Sequence, residues 1–304
     1  MRTPLHRIVL IWSILGVSAL AAAQGTDPSD RRAVKLLFDS WKLPVPPRKL
    51  IGNIYYVGAA GVSSYLITTP QGHILIDTAF EDTVPQTQKG IEELGFKVTD
   101  IKFILSSHAH NDHVGGHALM KKLSGAKVVA SELDAHVMET GGDDDFSPFV
   151  KDMMHYTPLK ADQIIADGDK VELGGVTLTA HLTPGHTKGA TTWTMKVRDG
   201  EKSYDVVFFS STSISRGTRL LGNREYPNIV KDFEATFETL KKLPCDVWFA
   251  PHGGQFAMTD KFNRLDKPGE PNPFIDPDGW KRMIAGTEKA FRDQLATEGM
   301  NVAP

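Results

Sequence analysis

The run Ile101–Leu105 (IKFIL) ends directly in Ser107–Gly116 (SHAHNDHVGG), and no other junction constrains the fold as tightly. IKFIL reads as a buried strand. Behind it, six positions hold four side chains able to bind a metal: His108, His110, Asp112 and His113. A solvated loop gives no reason to set three imidazoles and a carboxylate behind a buried strand and ahead of Gly115-Gly116, so the segment reads as a metal-binding strand exit. Along an extended exit, positions two apart face the same way. His108 and His110 are therefore expected to grip one ion together. Asp112 and His113, where the chain turns through the two glycines, are expected to face a neighbouring spot. Imidazole and carboxylate without thiolate suit zinc.

Each pair needs a further ligand, and two histidines occur in matching contexts. His186 lies in Thr183–Gly189 (TPGHTKG), and His252 in Ala250–Gly254 (APHGG). Both follow strand-like runs and sit beside small residues, where an α/β architecture gathers its active site. His108, His110 and His186 are assigned to one zinc ion, and Asp112, His113 and His252 to a second. Two ions about 3.5–4 Å apart lower the pKa of a shared water toward ~7. The expected nucleophile is thus a zinc-bound hydroxide, with Asp112 orienting the attacking oxygen as the catalytic residue. The expected reaction is hydrolysis of a carbonyl compound or ester. His73, His155 and His181 read as ordinary hydrogen-bonded surface residues, His136 as a bland helix residue, and His117 as a non-ligand despite lying four after His113. The alternative outside catalysis is a structural zinc protein that binds a partner. Structural sites are closed, four-coordinate and usually Cys-rich, whereas this set is Cys-free and divides three plus three, leaving room for water.

The pattern around these segments is strand-rich in two halves. Ile54–Val57, Ser63–Thr68 and His73–Asp77 read as strands, with a hairpin turn at Pro70-Gln71-Gly72. Thr83–Leu94 reads as a helix, followed by Ile101–Leu105, a helix at about 116–123, the strand Lys127–Ala130 and the helix Glu132–Glu139. The second half gives strands at Val171–Leu173, Val176–Leu182, Thr191–Val197, Tyr204–Phe209 and Asp246–Ala250. After Pro227, the residues Val230, Phe233, Phe237 and Leu240 form one apolar stripe, and Trp280, Ile284, Phe291 and Leu295 form another after Asp276-Pro277. Two β-rich halves with helices outside make an α/β fold, a layered αββα sandwich. The domain is expected over 51–304, behind a Pro-rich, loosely held extension at 24–50.

Residues 1–23 stand apart. Arg2 and Arg7 precede Ile8–Leu20, an apolar run of 13, and Ala21-Ala22-Ala23 offers small residues for signal cleavage before Gln24. As a helix the run covers about 20 Å, short of the roughly 30 Å hydrocarbon core. The expectation is a signal peptide and a periplasmic enzyme with no membrane attachment after cleavage. The single Cys245 excludes an intrachain disulfide and reads as a small core residue. Lys plus Arg total 34 against 37 acidic residues, a balance without the footprint of a nucleic-acid binder.

The motifs His108–His113 (HAHNDH), Gly185–Thr187 (GHT) and Pro251–Gly253 (PHG) resemble those of the metallo-beta-lactamase superfamily, over roughly Ile51–Leu265. Leu75–Thr78 (LIDT) and Leu220–Pro227 (LLGNREYP) are similar to the third subclass of zinc β-lactamases. The resemblance implies the αββα fold, two zinc ions on the six residues above, and a secreted hydrolase whose partner is a small β-lactam: penicillins, cephalosporins or carbapenems. Lactonases and thioesterases of the same superfamily are the alternative. Those relatives place a metal-bridging Asp near Phe208–Ser215 (FFSSTSIS), and other zinc β-lactamase subclasses place a Cys ligand there. This chain has neither at that strand end. The resemblance also points to this loop for the substrate carboxylate, with Thr212 the nearest match, Ser213 and Ser215 the competing register, and Arg216 or Arg219 next. Phe146, Phe149 and Trp41 are expected to give apolar cover. The chain departs from the family pattern at Lys188, where Pro is expected, at Ile214, which interrupts a Ser-x-Ser pair, and at Thr218, in place of an aromatic donor.

Overall fold

The computed structural model describes residues 28–302 except residue 266. The expected signal segment 1–23 lies outside the described residues. Seven strands form one sheet in chain order: β1 (Arg48–Ile51), β2 (Ile54–Tyr56), β3 (Tyr65–Thr69), β4 (Gly72–Ile76), β5 (Ile101–Leu105), β6 (Lys127–Ser131) and β7 (Gln163–Ile165). β1 to β4 pair antiparallel and β4 to β7 parallel. The second sheet holds β8 (Lys170–Leu173), β9 (Val176–Leu182), β10 (Thr191–Asp199), β11 (Lys202–Phe208) and β12 (Val247–Phe249). It is antiparallel apart from the parallel β11–β12 pair.

The helices are α1 (Pro28–Trp41), α2 (Val84–Glu93), the single turn α3 (Asn111–Val114), α4 (His117–Ser124), α5 (Glu132–Glu139), α6 (Pro148–Met153), α7 (Ile229–Lys242), α8 (Met258–Leu265) and α9 (Pro277–Val302). Strand alternation divides the interior. Tyr65, Ile67, Ile74 and Ile76 join Trp193, Met195 and Val197 of β10, and Phe233, Phe237 and Phe291 of α7 and α9, in one large core. Their neighbours Leu66, Leu75, Ile104 and Val128 turn the other way, against Ile91 of α2, Met120 of α4 and Met138 of α5. Helices therefore cover the outer face of each sheet, giving the layered αββα sandwich read from the sequence.

Boundaries differ from the expected ones by one or two residues, as helix and strand ends do. The larger difference is at 24–50, expected to be loosely held. Within it, α1 is a 14-residue helix and β1 pairs with β2 at the sheet edge. Val34, Phe38 and Trp41 fall on one helical face, and Phe38 and Trp41 pack around Ala59, Val62, Ala79 and Phe80. The Pro-rich run that suggested looseness is only the short link from α1 to β1. Among the described residues no helix is long and apolar enough to cross a membrane. Cys245, expected in the core, is half-buried against its edge, with burial pushing its thiol up.

Candidate metal centre

Parallel pairing brings the C-terminal ends of β4, β5 and β6 to one edge of the first sheet, and parallel β11 and β12 do the same for the second. Cross-links knit these edges together. The Ser107 carbonyl accepts from Thr191 N–H at 2.8 Å and Ser210 Oγ at 2.9 Å, and Pro251 O accepts from Ser63 N–H at 2.8 Å. All six candidate ligands lie on segments leaving strands of the two sheets. The ligating atoms of His108, His110 and His186 lie within 4.8 Å of one another, and so do those of Asp112, His113 and His252. The rings of His108 and His113 are 4.1 Å apart, so the two trios share a wall.

The local backbone differs from the expected extended exit. His110 N–H donates to the His108 carbonyl at 3.0 Å, a tight bend that sets the two rings edge to face at 4.9 Å. The turn α3 then carries Asp112 and His113 to the second trio. Gly115 and Gly116 act through space rather than conformation, since their φ values of −54° and −84° suit any residue. A Cβ on Gly116 would sit 2.5 Å from Val84 Cγ2 and 2.9 Å from Thr78 O.

The donor set fits a cation. His108 Nε2, Asp112 Oδ1 and both ring nitrogens of His113 are buried without a hydrogen-bond partner. His186 and His252 each tie Nδ1 to a backbone carbonyl, of Ser213 at 2.7 Å and Gly61 at 3.0 Å, which leaves Nε2 with its lone pair. Asp112 Oδ2 lies 3.2 Å from His113 Nε2, without hydrogen-bond alignment, and 3.6 Å from His252 Nε2. Burial, then the neighbouring imidazoles, hold His108 and His186 well below the ordinary histidine range, so both are neutral, the form that binds metal. His252 is lowered to about 4, first by burial and then by His113. Burial opposes charge on Asp112 and His113, yet their mutual attraction outweighs it: Asp112 is held low and His113 rises to about 10.

Supporting residues that sequence reasoning missed stand behind the ligands. Ser107 lies between His108 Nδ1, at 3.1 Å, and Asp77 Oδ2, to which its hydroxyl donates at 2.6 Å. Asp77 also faces His113 Nδ1 at 3.5 Å and has a φ of +56°, an unusual conformation for a non-glycine residue. Asp145 Oδ2 lies 3.5 Å from His110 Nε2. Asp77 carried two signals, its place directly after a buried strand and its position in Leu75–Thr78; Asp145, in a run of three aspartates, carried none. His117 is no ligand, as expected, because Thr78 and Ser106 hydroxyls engage both its nitrogens. His73 corrects an expectation: it is buried, edge-on to Phe96 at 5.1 Å, because it begins an interior strand.

The expected substrate loop separates by residue. Thr212 is buried, and its Oγ1 has no hydrogen-bond partner. Ser213 is turned to His186, with Oγ 3.2 Å from Nδ1, and the Ser215 carbonyl accepts from Thr218 N–H at 3.0 Å. Of the expected apolar cover, Trp41 lies against the His252 ring at 4.8 Å and Phe146 packs edge-on to Tyr226 at 4.9 Å, while Phe149 is half-buried.

Residues 57–252 match the family model described as the metallo-beta-lactamase superfamily. The chain belongs to that superfamily. Within it, the fold is similar to the native FEZ-1 metallo-beta-lactamase from Legionella gormanii, at 41% identity over 84% of this chain and 98% of that one, with a TM-score of 0.82. It is equally similar to BJP-1, a subclass B3 metallo-beta-lactamase of Bradyrhizobium japonicum, at 41% identity over 87% of this chain and 98% of that one, TM-score 0.81. Among curated relatives, a hydroxyacylglutathione hydrolase of Rhodopseudomonas palustris is 28% identical over 64% of this chain and 66% of its own length. The chain spans only 54% and 36% of the length of two other curated relatives that it matches. Where the superfamily pattern leads one to expect Pro, Lys188 sets its ammonium 5.7 Å from the Tyr226 ring centroid and 6.0 Å from that of Phe146.

Proposed function

We propose that this superfamily member is a di-zinc β-lactamase that opens the amide ring of β-lactam antibiotics. The carrying observation is the pair of adjacent trios, three histidines beside Asp112, His113 and His252, each with ligating atoms within 4.8 Å. Identity of 41% across nearly the whole of two metallo-beta-lactamases supports the substrate class. So does the loop after β11, where Ser210–Ser215 offers hydroxyls and neither Asp nor Cys.

The chemistry zinc supplies when bound is polarisation of a carbonyl and acidification of water to a pKa of about 7. The protein's own residues do the rest. His108, His110 and His186 would hold one ion, and Asp112, His113 and His252 the other. Asp112, through the oxygen left without a partner, accepts a hydrogen bond from the attacking water and aims it. Thr212 Oγ1 donates to the carboxylate that β-lactams carry beside the scissile amide. A thioesterase is the second reading, favoured by the hydroxyacylglutathione hydrolase relatives. Purified protein should open a chromogenic cephalosporin, lose that activity to a chelator and regain it with zinc. Turnover of a glutathione thioester with none of the cephalosporin would select the second reading.

Export to the periplasm is part of the same proposal, supported by the cationic start, the apolar run and Ala21–Ala23. N-terminal sequencing of the protein from a periplasmic extract should begin at Gln24. Protein that stays in the cytosol with Met1 or Arg2 first would remove it.

A further inference from the structure

α5 begins where β6 ends, and its first turn carries Asp134, a carboxylate 2% exposed and outside both trios. One of its oxygens, Oδ2, accepts from the Ala109 N–H at 3.0 Å and from Thr187 Oγ1 at 3.0 Å. The other, Oδ1, accepts from the Gly189 N–H at 3.0 Å. Ala109 is the residue between His108 and His110; Thr187 follows His186, and Gly189 lies two residues beyond. One buried carboxyl group therefore holds the backbone on both sides of the first trio. Its neighbours complete the attachment. Tyr156 Oη donates to the Ala109 carbonyl at 2.8 Å, and Ser131 Oγ donates to the Gly189 carbonyl at 2.6 Å. The approach is close enough to require glycine at 189, where a Cβ would sit 2.7 Å from Asp134 Oδ1 and 2.3 Å from Ser131 Oγ. The other trio is backed differently: the buried Asp77 carboxylate accepts from Ser107 N–H at 2.8 Å and Ser107 Oγ at 2.6 Å and faces His113, and His252 is held by the Gly61 carbonyl.

We infer that Asp134 is a positioning residue dedicated to one of the two metal sites: its carboxylate clamps the His108–His110 bend to the His186 loop and sets the affinity of that trio alone. The inference rests on the two-ion reading, not on the β-lactam substrate. Both oxygens are already engaged with donors, so Asp134 contributes through the loops it holds and does not ligate. Asp134→Asn keeps the shape but presents an NH2 to an N–H donor, so at least one attachment is lost. Outer partners of metal ligands typically contribute 10–100-fold in affinity.

The test is zinc binding to metal-stripped protein, read by competition with a chromophoric chelator, on the full chain. The parent should show two sites. Asp134→Asn should weaken one of them by about 10–100-fold and leave the other within a few-fold. Thr187→Val, which removes a single hydrogen bond and keeps the shape of a buried side chain, should weaken the same site by a smaller factor. In a His252→Ala background, which impairs the second trio, the Asp134→Asn effect should persist in full on the remaining site. Two unchanged sites in Asp134→Asn, or equal weakening of both with folding intact by circular dichroism, would overturn the inference. Uptake of a single ion by the parent would overturn the two-ion reading instead, and the Asp134 prediction would then be read on that ion.

Discussion

Asp112 and Thr212 are the two residues whose unpartnered oxygens bear on the proposed reaction. Asp112 Oδ2 faces His113 and His252 while Oδ1 accepts from nothing in the protein. Asparagine would keep the volume but ligate weakly and accept no proton, so Asp112→Asn should cut kcat by at least about 10²-fold, the scale of a lost acid–base contribution. Metal analysis beside the kinetics decides the point: activity within a few-fold of the parent, both ions retained, removes Asp112 from the mechanism. At Thr212, the buried hydroxyl should donate to the substrate carboxylate, a bond to a charged acceptor of about 1.5–3 kcal/mol. Thr212→Ala is expected to raise KM for penicillins about tenfold or more with metal content unchanged. An unmoved KM, both there and in a Ser213→Ala/Ser215→Ala double variant, would shift the anchor to Arg216 or Arg219.

At the scale of elements, the site depends on how strands end. The His186 loop joins β9 to β10 and rests on α7: Gly185 has a φ of +137°, and a Cβ there would lie 2.7 Å from Phe233 Cδ1. Phe233 is fully buried and belongs to the apolar stripe visible in the sequence. Gly185→Ala must therefore either distort the loop or displace Phe233. Its expected cost is about 1–3 kcal/mol from backbone strain alone, and the loop carries a ligand, so zinc content should fall with the melting temperature. A variant that melts and binds zinc like the parent would show that the loop has room to relax. α1 acts at the same scale. Its Trp41 packs against His252 and abuts Gly61, whose carbonyl orients that histidine. The sequence pointed to Trp41 as apolar cover for the site, but not to its contact with a histidine two hundred positions away.

For the whole molecule, the proposed ions tie the two sheets together, since each trio combines residues following β5 with one from the second half. Metal that binds only the folded state stabilises it by mass action, about 2.7 kcal/mol at a hundredfold excess over Kd. In a domain this large, that corresponds to roughly 5–10 °C in melting temperature. Chelation should lower Tm by that amount, and added zinc should restore it; a Tm indifferent to chelator would mean the trios do not join the halves. The sequence alone determined the layered fold, through the period of its apolar residues, and the six candidate ligands, because imidazoles clustered behind a buried strand have few other uses. It also marked the loop that holds Thr212. Only the tertiary structure decided that the Thr212 hydroxyl is buried without a partner in the protein, that His108 and His110 meet through a bend, and that Asp77, Asp134 and Asp145 stand behind the ligands. An isolated aspartate looks the same in sequence whether solvated or buried. Its role is set by which backbone donors the packed sheets bring within 3 Å of it, and those donors come from segments far apart in the chain.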